Sequence, residues 1–192
     1  MKYTILAILL IPMLLFPQTT QWRLVWDANP PSDNVDFYEV NRTDGFQINV
    51  SETFYVDDNI EAGVLYIYWL RAHNAVDYSN PSQSVSESIP KALEFEDQTI
   101  SYDGTFDNYN LSNYVNEPDG DQVTWNFVST NPNLTVNASG NVILNNDFTG
   151  TVVITATVKD DIGFNSFTNF YLTRNQMPIP AEVDSIWFEL VD

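Results

Sequence analysis

Between Gln21 and Thr173 the chain is a succession of short aromatic and β-branched runs, broken every few positions by Asn, Asp, Gly or Pro. Hardly any segment holds an apolar period of 3.6 over three turns, so the pattern predicts strands throughout. In the first half these are 23–26, 37–42, 46–50, 53–56 and 65–72, with 86–92 read as a last strand and short linker. Within 65–72, Tyr66, Tyr68, Leu70 and Ala72 share one face and Ile67, Trp69 and Arg71 the other, which predicts one aromatic face in a core. Asp44-Gly45 is a hairpin dipeptide, because both residues tolerate positive φ. In the second half the runs are 99–102, 123–128, 134–136, 142–144, 151–158 and 166–173. Val152, Ile154, Ala156 and Val158 alternate with Thr151, Val153, Thr155 and Thr157, the pattern of a half-buried antiparallel strand.

The two ends read differently. Behind Lys2, residues 4–16 are almost wholly apolar and are closed by Pro17, so residues 1–18 are expected to be a signal peptide or a membrane anchor. The run is shorter than the roughly 20 apolar residues of a spanning helix and contains Pro12. Residues 176–192 carry Pro178 and Pro180 and then Val183, Ile186, Trp187, Phe188, Leu190 and Val191. A strand is preferred there, with Ile186, Phe188 and Leu190 on one face, since an isolated helix so short is marginal. This tail is expected to dock on a sheet edge or apolar groove, more readily of a neighbouring subunit, through Ile186, Trp187, Phe188 and Leu190, with Trp187 the main anchor.

Charge narrows the partners. Of 192 residues, 26 are acidic and 7 basic, a net charge of -19, so nucleic acid is excluded as a partner and anionic membrane surfaces are disfavoured. Membrane contact is expected only if residues 1–18 are retained. With 17% charged, 44% hydrophobic and 14% aromatic residues, the composition is globular rather than disordered. Cysteine is absent, which removes disulfides, thiolate metal sites and cysteine nucleophiles.

Catalytic chemistry has few carriers. The single histidine, His73, stands at a strand end with no strained Gly-x-Ser-x-Gly turn in the sequence, and there is no phosphate loop, dinucleotide fingerprint or paired zinc histidines. A non-enzyme is expected. The acidic turns are the better candidates: Glu117, Asp119 and Asp121 alternate around Pro118 and Gly120, and Asp160 and Asp161 occupy the loop before the last strand. They present hard oxygen ligands of the kind calcium takes in sixes to eights. Solvated turn formers are the bland alternative. Tyr102, Tyr109 and Tyr114 lie outside any clear alternation and are candidates for a sugar-stacking face, with core or edge positions the commoner reading of such rings.

Two resemblances sit on these motifs. Leu24-Val25-Trp26-Asp27-Ala28-Asn29, Phe37-Tyr38-Glu39-Val40 and Tyr66-Ile67-Tyr68-Trp69-Leu70-Arg71-Ala72-His73-Asn74 resemble three strands of a fibronectin type III domain, over about residues 20–90. Tyr66 falls at the tyrosine-corner position. The family's first strand has no counterpart after residue 18, so that strand is truncated, supplied by a retained amino terminus, or donated by a partner. Glu96-Asp97-Gln98-Thr99-Ile100, Asn116-Glu117-Pro118-Asp119-Gly120-Asp121, Ala138-Ser139-Gly140-Asn141-Val142 and Thr155 to Gly163 resemble the cadherin-like immunoglobulin-fold repeats of bacterial surface proteins, over about 93–175. That resemblance implies calcium near a domain junction, with Glu96 or Asp97 as a further ligand. Glu117 stands where the family has aspartate.

Together these readings imply an all-β chain of two tandem immunoglobulin-like β-sandwiches, joined by a short semi-rigid linker near residues 90–93 and set end to end. The function expected is a non-catalytic, secreted or cell-surface protein in adhesion or assembly. Two alternatives stay open: a structural component of a larger particle, such as a phage spike or vertex protein or a surface filament subunit, and a carbohydrate-binding accessory module.

Overall fold

The computed structural model describes residues 20–145 and 148–178, and both the amino-terminal segment and the tail from residue 179 lie outside the described residues. Strands carry the structure, and the only helical elements among the described residues are two 3-10 turns, Pro31–Asp33 and Leu111–Asn113. No helix among them is long and apolar enough to cross a membrane.

The first half contains β1 (Trp22–Val25), β2 (Phe37–Arg42), β3 (Gln47–Val50), β4 (Phe54–Asp57), β5 (Tyr66–His73) and β6 (Val85–Glu87). They form a two-stranded sheet, β1-β4, and a four-stranded sheet ordered β3-β2-β5-β6, all antiparallel. The β2–β3 hairpin turns at Asp44-Gly45 as the dipeptide predicts, with Gly45 at φ +93° and its N–H bonded to the Arg42 carbonyl at 3.0 Å. On β5 the expected alternation holds at Tyr66 and Tyr68, which are buried, whereas Ile67, Trp69 and Arg71 are only partly covered. Tyr66 Oη accepts the backbone N–H of Glu61 at 3.0 Å, five residues upstream. This is the hydrogen bond of a tyrosine corner. No strand precedes β1 among the described residues, so its outer edge is unpaired there.

Trp22, Val40, Tyr66, Tyr68 and Ile89 form the first core. A charged network runs through it. Trp22 Nε1 donates to Tyr68 Oη at 3.1 Å, and Tyr68 Oη donates to Asp57 Oδ2 at 2.6 Å. Arg42 Nη1 donates to the same Oδ2 at 2.7 Å and to the Asn59 carbonyl at 2.9 Å, while Asn59 N–H satisfies Asp57 Oδ1. Arg42 is 4% exposed and Asp57 fully buried, and Asp44 takes the remaining guanidinium hydrogens. The Asp44 bond comes first among the causes holding the Arg42 pKa above its ordinary value, and burial raises that of the Tyr68 hydroxyl.

The second half contains β7 (Lys91–Ala92), β8 (Gln98–Ile100), β9 (Val115–Asn116), β10 (Thr124–Ser129), β11 (Leu134–Val136), β12 (Val142–Leu144), β13 (Gly150–Lys159) and β14 (Asn165–Arg174). One sheet is ordered β10-β13-β14-β8, with β8 parallel to β14, and β7-β9 and β11-β12 are separate antiparallel pairs. Val152, Ile154, Ala156 and Val158 of β13 are all fully buried. They pack with Phe95, Trp125, Leu134, Phe170 and Leu172 in a second core. The β13–β14 hairpin pairs ten residues a side, the longest ladder present.

The segment 86–92, expected as a last strand and a short linker, divides between the two halves: β6 stops at Glu87 and pairs with β5, while Lys91–Ala92 pairs with β9 of the second half. Pro90 lacks the N–H a ladder needs, and the chain changes partner across it. The crossing is tightly sewn. Ser166 Oγ donates to the Pro90 carbonyl at 2.5 Å and accepts from Ala92 N–H at 2.7 Å, and Phe164 lies 5.7 Å from the Trp22 ring. Gly63, at φ +78°, donates to the Ile89 carbonyl, and a Cβ there would come within 2.8 Å of Asn116 Nδ2 and 2.9 Å of Lys91 Cβ. Only glycine fits both the backbone and the gap.

Asp57→Ala is expected to destabilise the protein by about 3–5 kcal/mol, because it strands the Arg42 charge in the core. A fall in the urea midpoint without a change in slope is the measurement that checks it.

Candidate metal centre at the junction

Three stretches of chain bring carboxylates to the point where the two halves meet. Glu87 closes β6; Glu117, Asp119 and Asp121 come from the turn after β9; Asp160 and Asp161 follow β13. The Glu117–Asp121 turn is held by its own chemistry, as Pro118 restricts φ and Gly120 adopts φ +87°. Asp160 shapes the β13–β14 hairpin: its Oδ1 accepts Gly163 N–H at 2.6 Å and Phe164 N–H at 2.8 Å.

Ser88, fully buried, stands at the centre. Its N–H donates to Asp119 Oδ2 at 2.7 Å and to Glu87 Oε1 at 3.0 Å. Its hydroxyl faces Glu117 Oε1 at 2.5 Å and Asp119 Oδ2 at 2.9 Å, a single proton between two carboxylates. Carboxylate oxygens of Glu87, Asp119 and Asp121 lie within 4.8 Å of one another. Glu117 Oε2 and Asp160 Oδ2 are buried and accept no hydrogen bond. Among the described residues the ion pairs are Arg42 with Asp44 and Asp57, and His73 with Asp36, so none reaches this cluster.

The electrostatics follow from that crowding. Burial, then the shared hydrogen bond and charge of Asp119, pushes Glu87 up to about 7. The same order of causes, with Asp160 adding its charge, takes Glu117 to about 7. Burial and the charges of Asp119, Asp161 and Asp160 raise Asp121. For Asp119 burial pulls upward, but hydrogen bonds from Glu117, Ser88, the Asp121 backbone and Glu87 outweigh it and hold the carboxyl below its ordinary value. Burial and crowding thus favour the protonated forms of the two glutamates over those of free glutamates.

Of the residues read from the sequence as ligands, Asp119 and Asp121 lie within 4.8 Å of Glu87, Glu117 shares the Ser88 hydroxyl with Asp119, and Asp160 and Asp161 stand near enough for their charges to act on Asp121. Glu87 and Ser88 were missed, since both read as the end of a strand. Asp97 is engaged elsewhere, its Oδ1 accepting Tyr171 N–H, and the Glu96 backbone carbonyl accepts Tyr109 Oη. The tyrosine face fails as a sugar platform. Tyr109 is buried, Tyr114 stacks on Phe95 at 4.1 Å, and Arg174 lies over the Tyr102 ring. His73 stacks on Phe37 at 4.4 Å beside Asp36, a packing role with no nucleophile attached. Ile186, Trp187, Phe188 and Leu190 lie outside the described residues.

All-oxygen donors suit a hard cation and exclude a soft one, and a group of three carboxylates, Glu87, Asp119 and Asp121, suits calcium better than magnesium, which keeps most of its water.

No protein-family model matches the chain, and no curated protein matches it. Among solved structures, human mucin-like protocadherin EC1-2 aligns at TM-score 0.35 and 10% identity, over 72% of this chain and 84% of that one. Drosophila N-cadherin EC1-4 aligns at 0.36 and 10%, over 73% and 42%, and the human desmocollin-1 ectodomain at 0.30 and 13%, over 85% and 37%. This chain therefore spans less than half of the latter two. Overlays this loose carry nothing about binding.

In the cation-free protein, stability is expected to fall as pH rises from about 4.5 to 7. The folded state binds more protons at Glu87 and Glu117 than the unfolded chain does across that window. Asp119, shifted the other way, acts only below its ordinary carboxylate range. Thermal midpoints in chelator at pH 5 and pH 8 check the sign.

Proposed function

We propose that this chain is a non-catalytic adhesion or assembly protein, secreted or held at a cell surface, whose two β-sandwich units are joined across a calcium ion at the junction. The carrying observation is Asp160, a side chain 4% exposed whose Oδ2 has no hydrogen-bond partner, close enough to Glu117 and Asp121 for its charge to act on both. A buried charge left unpaired is costly, and a divalent cation removes that cost for several carboxylates at once. Because the ligands come from β6 on one side and from the β9 turn and β13 on the other, such an ion stiffens the angle between the units. A rigid rod of two sandwiches presents its loops and edges at a set distance, which suits adhesion and assembly.

The retained-anchor and larger-particle readings share this junction and differ in what the outer edges meet. The sugar-binding reading has lost its tyrosine face.

Calcium should raise the thermal midpoint, by binding only the folded state: about 2.7 kcal/mol at a hundred times Kd, or roughly 5–10 °C for a chain of this size. Magnesium should do much less. Asp160→Asn, which keeps the Oδ1 hydrogen bonds, should abolish most of the calcium effect. Equal midpoints in calcium and in chelator would sink the proposal.

A further inference from the structure

The two sheets of the first half are unequal, four strands facing two. Trp26 N–H bonds to the Thr53 carbonyl at 3.1 Å, continuing the register Leu24↔Tyr55 and Trp22↔Asp57. In an antiparallel ladder this turns the backbone groups of Trp22, Leu24 and Trp26 towards β4 and those of Arg23 and Val25 outwards. Among the described residues nothing pairs with that edge. The outer face beside it is apolar and open: Val25 is 70% exposed and Val56 40%, and the Arg23 guanidinium lies 3.9 Å over the Phe54 ring.

Residues 183–191 have the complementary pattern. Laid antiparallel on β1 with Glu189 opposite Arg23, the segment sets Leu190, Phe188 and Ile186 opposite Trp22, Leu24 and Trp26. Those three β1 side chains belong to the core side, so the apolar row of the segment extends the core. On the other face Trp187 covers Val25, the most exposed apolar residue of the strand, and Glu189 pairs with Arg23, the only charged residue on it. A shift by one residue would put Glu189 into the core and Phe188 into water.

The chain's course selects whose segment this is. β14 starts next to Phe164, at the junction near Trp22, and runs ten residues away from it, a length of about 34 Å. Asn175 is still bonded to the Ile100 carbonyl at 3.0 Å, so the chain leaves at the far pole. The spacer 176–182 reaches at most about 25 Å when fully extended, too short to bring residue 183 back along β14. A neighbouring copy has no such limit.

We propose that residues 183–191 of a second copy of this chain add as an antiparallel strand to the open edge of β1, with Glu189 opposite Arg23. The association is head-to-tail, and repeated it gives a linear array, because each copy keeps one free edge and one free segment. It does not depend on calcium at the junction.

The test is sedimentation of the full chain over a concentration series, beside a variant lacking residues 181–192. The full chain is expected to form concentration-dependent oligomers, and the truncated one to be a monomer with an unchanged thermal midpoint. Arg23→Glu and Glu189→Arg should each weaken association about threefold or more, and the double variant should restore it. A full chain that stays monomeric overturns the proposal, as it would if residues before β1 already filled the edge. So does a truncated chain that keeps its oligomers, or a truncated monomer with a lowered midpoint, which would make the segment part of its own fold. Failure of the double variant to restore association overturns the register.

Discussion

Arg42 and Asp57 meet in the interior of the first half, and four strands are arranged around their contact. Arg42 comes from the end of β2, Asp57 from the end of β4, Tyr68 from β5 and Trp22 from β1, so both sheets contribute to one hydrogen-bonded chain. Any slip of a strand by one residue would put one of these groups on the wrong face and leave the others unsatisfied. The pair adds little to stability when intact, since desolvation offsets the attraction. Its effect is on uniqueness: few alternative packings of these strands satisfy a guanidinium and a carboxylate away from water.

The junction repeats the same chemistry without the cation. Glu87, Asp119 and Asp121 converge there with Glu117 beside them on Ser88, and the chain has only 7 basic residues to share among 26 acidic ones. Arg42 is spent in the core, and Arg174 on the carbonyls of Tyr102 and Phe148. Buried charge is met by protein at one place and left for solution to meet at the other. Under the function proposed above, a cation from solution would complete that site and make the relation between the two halves depend on the medium.

Strand existence was legible to a large degree, and for a physical reason: alternation of apolar and polar residues is a local property that survives in the sequence. The face of β13 is the clearest case, with Val152, Ile154, Ala156 and Val158 all fully buried as the alternation predicts. The Asp44-Gly45 hairpin and the Tyr66 hydroxyl bond were legible for the same reason, since both depend on neighbours a few residues away. Strand ends moved by a residue or two, as ladders extend wherever a partner is present. Long-range contacts were not legible: a sugar face and a core position both stayed open for Tyr109 and Tyr114, because nothing local shows that they pack on Phe95 and on each other.

By itself the sequence determined the all-β class, the strand faces, the hairpin turns, the strongly acidic balance, and the residue types that can hold a hard cation. Those properties are set by spacing and composition. Only the tertiary structure decided that Glu87 joins Asp119 and Asp121, that Ser88 sits among them, that Lys91–Ala92 pairs with the second half, and that Arg42 finds Asp57. Each of these joins residues distant along the chain or separated by a change of partner at a proline. Their proximity follows from how sheets close over a core, which no local pattern encodes.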